Sequence, residues 1–482
     1  MGCYITSDEQ FFIDDHLIDT MTDLKRVVQT PEKLERPVLQ GDRPGEGWLA
    51  RILGNSVHFD AEDDAHARFK MWYDTEQGVA YATSPDGIVW DKPNIRVMEV
   101  DGSTDNNLVC PGRNLTVMKD LREQDPAKRY KGLYWHSLRD PEARWMGKGH
   151  FAAFSPDGIH WQDAPGNPIM PLSHGTTDGQ TVYGWDPSHG KYVAYMRPHI
   201  ENMDPPKRSV AWATSDDFIH WGPPVVVMAP DDEDGHYEEF YRMPVVKYES
   251  IYLGFLWVYD NDSDYAIQTL NTQLTVSRDG VAWERAADRR YILTNGPRGA
   301  FDSYFSCVCT MIPVGDELYI YYLAANFPHT PPGDGERKRG SQKEWIGQVK
   351  DGELRAFSAG LAKLPRGRIV SMEPSADEGV LTTEPLHFAG NTLTLNADAA
   401  RGSIAVEVLD AGGEPVEGCS ISDAIPLMAD SLCCEVTWKG ERKLTTECGD
   451  GDERAHYKAA LRQPQRLRFH INNARLFSFR ID

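Results

Sequence analysis

Apolar and polar residues alternate along the chain in short runs broken by Gly, Pro, Asp and Asn, the pattern of strands that turn one face to a core. The runs come in sets. Residues 56–59, 69–73 and 79–83 form the first, and it ends on a seven-residue signature, Ser84-Pro-Asp-Gly-Ile-Val-Trp90. The signature returns as Ser155-Pro-Asp-Gly-Ile-His-Trp161, Ser215-Asp-Asp-Phe-Ile-His-Trp221 and Ser277-Arg-Asp-Gly-Val-Ala-Trp283, with tryptophans 71, 60 and 62 residues apart. Such a period, filled with short runs and turns, is that of four-stranded propeller blades rather than helical repeats. In each copy Asp-Gly supplies a tight turn, Ser and Asp bond its backbone, and Trp packs between neighbouring blades. A group needed four times over is structural rather than catalytic.

Runs at 115–118 and 130–134, at 181–183 and 192–195, and at 243–246 and 252–255 supply blades two to four. A fifth set, at 306–310, 318–322 and 360–363, lacks the signature. The expected fold is therefore all-β: a five-bladed β-propeller over residues 1–373, with residues 1–40 packing on it or closing it. A β-sandwich over 374–482 follows, built of runs such as 392–395, 404–408, 467–470 and 476–479. Helices are expected to be scarce.

A length of 482 residues suits one large domain and one smaller. The formal charge of −23 argues against nucleic acid and anionic membrane surfaces as partners, since both require a basic patch. The N-terminus has no basic start followed by an apolar run, and the longest apolar stretch, 251–259, is too short to span a bilayer. A soluble, cytoplasmic protein is expected, or an exported one whose leader is absent from this sequence. Eight cysteines without C-x-x-C or zinc-finger spacing are expected as free, buried thiols, Cys307 and Cys309 sharing one face of a strand.

In a propeller the strands run alternately up and down from the channel outward, so the signature turns lie on one face. Residues just ahead of each innermost strand, and those between strands two and three, ring the channel mouth on the other. The first group comprises Glu46 and Arg51 for blade one; Asp105, Asn107 and Arg113 for blade two; and Asp178 for blade three. It continues with His236, Glu238, Glu239, Tyr241 and Arg242 for blade four, and Asp302 for blade five. The second adds Asp74, residues 139–144, Arg197, His199, Asp260 and His329. Carboxylates from several blades facing one channel suit glycosidic-bond cleavage. Glu238 and Glu239, flanked by His236, Tyr237 and Tyr241, combine acid–base groups with aromatic faces against which sugars stack.

The blade count, the Ser-x-Asp-Gly-x-x-Trp turns and the carboxylates ahead of the inner strands resemble the furanosidase-type propellers of glycoside hydrolase families 32 and 43. Many of those carry a C-terminal β-sandwich. The resemblance implies a glycosidase acting on an oligo- or polysaccharide, such as a fructosidase or arabinofuranosidase. By position Glu46 is implied as nucleophile or base, Asp178 as transition-state stabiliser, and Glu239, or its neighbour Glu238, as the acid. Arg51, Asn107, Arg113, Arg197, His236, Tyr241, Asp302 and His329 are expected to hold the sugar. Arg139-Asp140-Pro141 copies a family 32 motif but falls after the second strand of blade two, where a loop turn explains it. Asp14 and Asp15 are placed on an edge or capping strand rather than in the channel. No cofactor is expected, although the carboxylates could hold a structural calcium ion. Two other readings stand beside this one. The first is a glycoside phosphorylase, with Arg51, Arg113, Arg197, His199 and His329 holding phosphate. The second is a non-catalytic carbohydrate-binding propeller, against which the difference in mouth residues from blade to blade argues.

Overall fold

The computed structural model describes residues 2–43, 46, 49–137, 149–171, 179–200, 206–261, 268–329, 349–350, 353–440, 444 and 463–482. Among them the only helix is a single 3-10 turn, Pro126–Lys128, and no helix is long and apolar enough to cross a membrane. Blade one consists of Val57–Phe59, Phe69–Thr75, Gly78–Ser84 and Leu108–Cys110. Blade two has Gly112–Lys119, Tyr130–Ser137, Gly149–Ser155 and two short outer strands; blade three has Thr181–Asp186, Lys191–Met196, Val210–Ser215 and Val225–Met228. Blade four opens on Glu238–Arg242 and Val245–Tyr248, which pair in succession with Ile251–Asp260, followed outward by Leu270–Ser277. Blade five takes Phe305–Val314, Glu317–Ala325 and Phe357–Pro365 from its own stretch of chain. Its outermost place is filled by Glu32–Lys33 and Leu39–Gln40, so the N-terminal segment closes the ring.

Adjacent blades are tied at the channel wall. Asn55 N donates to Cys309 O at 3.1 Å, Val117 N to Asn55 O at 3.4 Å and Val182 N to Thr116 Oγ1 at 3.2 Å. Arg242 Nη1 donates to Gln180 O, and Trp257 Nε1 to Val308 O at 2.7 Å. Cys307 and Cys309 are fully buried here as free thiols, and burial pushes the Cys309 thiol up to about 12.

The signature turns behave as their chemistry requires. Ser84 Oγ accepts the Gly87 N–H at 2.8 Å, Asp86 Oδ1 accepts those of Ile88 and Val89 at 2.8 and 2.9 Å, and Trp90 Nε1 donates back to Gly87 O at 3.2 Å. Burial alone would raise the pKa of Asp86, Asp157, Asp217 and Asp279. The turn's own N–H and hydroxyl donors, joined by the His160 side chain at Asp157 and the His220 side chain at Asp217, outweigh it and hold all four below the usual carboxylate range. Three copies keep glycine at positive φ, and each of those carbonyls accepts a hydrogen bond from the second strand of the preceding blade. Trp72 reaches Gly158 at 2.7 Å, Tyr195 reaches Gly280 at 2.8 Å, and Tyr321 reaches Gly87 at 2.8 Å, the last joining blade five to blade one.

The third copy departs in two places at once. Phe218 replaces glycine at φ +68°, and the position equivalent to Trp72 and Tyr195 is Leu133, three residues beyond the one paired with its own blade's serine. Phe218 is fully buried against Phe154 and Tyr192, so its ring fills space taken elsewhere by the neighbour's aromatic side chain. Left-handed backbone costs a non-glycine residue about 1–2 kcal/mol, which ring burial offsets. Phe218→Gly should therefore lose about 2–3 kcal/mol in urea unfolding, and less of it in a Leu133→Trp background. Strictly additive losses would sink the pairing.

The C-terminal strands form two facing sheets, and the N-terminus joins both. Ser403–Leu409, Arg466–Asn472 and Glu378–Thr383 continue into Ile18–Thr22. Asp430–Glu435, Leu393–Asp398, Arg475–Ile481 and Val370–Pro374 continue into Leu24–Val28, while Gln10–Phe11 pairs with Phe479 and Ser478. Phe12, Leu381, Leu395, Val406, Trp438 and Phe469 form the core between the sheets. Asp14 bonds Arg278 at 2.7 Å, which anchors this unit to the blade-four turn, and Asp15 pairs with Arg26.

One histidine makes stability pH-dependent. His58 Nε2 lies 2.9 Å from Val117 O and 3.2 Å from Asn55 O, so it must carry the proton it donates to these carbonyls. Burial, helped by Lys70 and Lys119, lowers the His58 pKa to about 4 against the two carbonyls' opposite effect. A folded pKa below the unfolded value leaves stability intact above about pH 6.5 and erodes it as pH falls toward 4, by about 3 kcal/mol. His58→Gln should flatten that part of a urea-unfolding pH profile; an unchanged slope would mean another group carries it.

Candidate active site at the channel mouth

The strand Glu238–Arg242 presents its residues to opposite sides. Glu239 and Tyr241 meet the loops between strands two and three of neighbouring blades, whereas Glu238 turns back to accept the Gly235 N–H of its own turn at 3.0 Å. Glu239 is 7% exposed. Its Oε2 accepts Arg208 N at 3.0 Å and Arg208 Nη1 at 2.8 Å, and its Oε1 accepts Asn261 Nδ2 at 2.8 Å. Every one of these partners is a donor, which suits a carboxylate and leaves a carboxyl proton no acceptor among them.

Tyr241 stands beside it. Its hydroxyl is 2.9 Å from His329 Nε2, and Tyr259 hydroxyl is 3.3 Å from Nδ1 of the same ring. The Arg197 guanidinium lies 4.2 Å from the Tyr241 ring centroid, and that of Arg208 5.5 Å. Blades three, four and five thus deliver two arginines, a carboxylate, two phenols and an imidazole to one place.

Blades one and two contribute a second carboxylate. Asp74 is 2% exposed and accepts Asn114 N at 2.9 Å and Arg51 Nη2 at 2.7 Å, while Arg51 also donates to Asn114 Oδ1 at 2.7 Å. Gln180 Nε2 donates to Asn114 O at 2.6 Å and Arg242 to Gln180 O, which links this group to blade four. Beside it Arg113 reaches only the Glu76 carbonyl, at 3.3 Å, and forms no ion pair among the described residues. Burial lowers its pKa, Asp74 opposing and Arg51 reinforcing the shift.

Other expected site residues sit elsewhere. Glu46, 3% exposed, is held by Lys92 at 2.7 Å, by the Tyr73 hydroxyl and by the Asp42 and Arg43 N–H groups. Asn107 donates to the Tyr73 hydroxyl at 2.7 Å, and Asn107 and Glu46 line a cavity of about 230 Å³ beside blade one. None of these contacts joins Glu46 to the Glu239 group. Asp302 pairs with Lys33 of the ring-closing segment and accepts the Tyr322 hydroxyl at 3.3 Å, a structural setting in the body of blade five. His236 is exposed and packs edge-on against Tyr237. Asp178, residues 139–144 and the His199 side chain lie outside the described residues. Among those described, no group of three or more His, Cys, Asp and Glu could hold a metal ion.

Arg208, Asn261, Tyr259 and Asn114 escape a reading of the sequence, although each adjoins a segment it selects. Arg208 lies in the loop that contains Arg197, Asn261 follows Asp260, and Asn114 follows Arg113. Asparagine and tyrosine are common in loops and strands whatever their role, and Arg208 lies well beyond the strand end that marks Arg197.

No protein-family model matches the sequence, and no curated protein matches it. Solved structures similar to it include an N-acetylgalactosamine deacetylase from F. plautii in complex with blood group B trisaccharide, at 14% identity over 71% of this chain and 96% of that one, TM-score 0.45. A fructofuranosidase from Schwanniomyces occidentalis complexed with fructosylnystose is 13% identical over 94% and 98%, TM-score 0.43. The family 32 β-fructofuranosidase of Bombyx mori is 10% identical over 93% and 94%, TM-score 0.43. These are likenesses in chain path alone.

Proposed function

We propose that this protein cleaves glycosidic bonds at the channel mouth, where the Glu239–Arg208–Asn261 group adjoins Tyr241, His329 and Tyr259. That juxtaposition carries the reading: a fixed carboxylate, proton-bearing groups and aromatic faces converge where several blades can grip one sugar. With donors on both oxygens, Glu239 serves as a base or as a stabiliser of positive charge at the anomeric carbon. The proton for the leaving oxygen then comes from Tyr241, with His329 behind it. A furanoside substrate is the finer expectation, resting on the blade count and turn signature.

A second reading has one observation in its favour. Arg113 is a partly buried cation with no carboxylate partner among the described residues, a setting that favours an anion and suits phosphorolysis. A panel of nitrophenyl glycosides and plant oligosaccharides, assayed with and without inorganic phosphate, separates the two. Turnover that requires phosphate would replace hydrolysis with phosphorolysis. Oligosaccharide binding without turnover of any substrate would leave a carbohydrate-binding propeller.

A further inference from the structure

At the far end of the channel, where the innermost strands finish, all five blades line a second cavity of about 520 Å³, within the size of small-molecule sites. Along the inner strand Gly112–Lys119 its lining begins at Val117, about 13 Å of strand beyond Arg113 at the mouth, and runs on to Arg122. The chain is strongly acidic, at −23, yet Lys119, Arg122 and Lys247 all line this space.

Lys119 is neutralised by Asp60, and Asp120 by Lys131 and the Tyr192 hydroxyl. Arg122 and Lys247 form no ion pair and donate no side-chain hydrogen bond among the described residues. The Arg122 guanidinium instead lies 3.3 Å from the Trp185 ring centroid. A guanidinium stacked on an indole is held in orientation while its N–H edges stay available, the geometry that takes two oxygens of one anion. The Lys247 ammonium lies 4.2 Å over Tyr252, where burial and then Arg278 repulsion lower its pKa against Asp186 and Asp8. Neither cation has an ion-pair partner among the described residues, so an anion in this cavity meets two unneutralised donors.

We propose that this rear cavity binds an oxyanion group, a carboxylate, sulfate or phosphate, with Arg122 gripping two oxygens and Lys247 neutralising the charge. The group could be free or borne on a sugar. Calorimetric titration of inorganic phosphate, glucuronate, glucose 6-phosphate and neutral glucose into the full chain distinguishes these sources. Saturable binding of one or more anions but not of glucose is expected, weakened at least about tenfold in Arg122→Gln/Lys247→Met. The same binding should persist in Arg113→Gln, which separates this site from the arginines at the mouth. Both substituted side chains are at the surface, so thermal unfolding should confirm an intact fold. No saturable anion binding below about 10 mM, or binding that the double variant retains, would overturn the proposal.

Discussion

Glu239→Gln is expected to lose about 10²–10⁴-fold in kcat, and to lose it equally on a natural oligosaccharide and on a dinitrophenyl glycoside. The three donors on its carboxylate dictate the second half of that expectation. A general acid spares substrates whose leaving group needs no proton; a base or charge stabiliser does not. Tyr241→Phe should show the opposite pattern, with a large loss on the oligosaccharide and a smaller one on the dinitrophenyl substrate. Rescue of Glu239→Gln by the activated leaving group would return the acid's role to Glu239, as position in the blade first implied.

Lys33→Met should destabilise the fold by about 3 kcal/mol, because it strands the Asp302 carboxylate at 3% exposure with only hydroxyl partners. Turnover by the folded variant should be unchanged. Urea unfolding, with steady-state kinetics alongside, checks both parts. Wild-type stability with lost turnover would move Asp302 back into the active site.

The blades were legible in the sequence because the turn between strands three and four needs the same local chemistry each time. Even the degenerate fifth turn keeps glycine at the matching place, Gly367 at φ +75°. The ring closure was not, since Glu32–Lys33 and Leu39–Gln40 are strands of two residues whose partners lie more than 300 positions away. A two-residue strand has no periodicity to read. The site was half legible for a related reason. Position on a blade pointed to Glu239, Tyr241, Arg197 and His329, but whether a carboxylate meets a cation depends on which distant segment the fold brings beside it. Glu46 met Lys92 and Asp302 met Lys33, whereas Glu239 met Arg208 and Asn261 at the mouth.

The N-terminal pairings bear on how this chain can be made. Residues 10 and 11 find their partners at 479 and 478, and residues 32–40 find theirs at 358–363. At ribosomal rates of about 5–20 residues per second, the opening segment waits on the order of tens of seconds for a strand to pair with. Until then blade five lacks its edge and both C-terminal sheets lack members. Such high contact order makes the final closure slow and leaves strand edges open to other copies of the chain. Blades one to four can condense during synthesis, but the ring becomes a cooperative unit only after translation ends. Chaperone dependence and inclusion-body formation should therefore follow the fate of the first forty residues more closely than any change at the channel mouth.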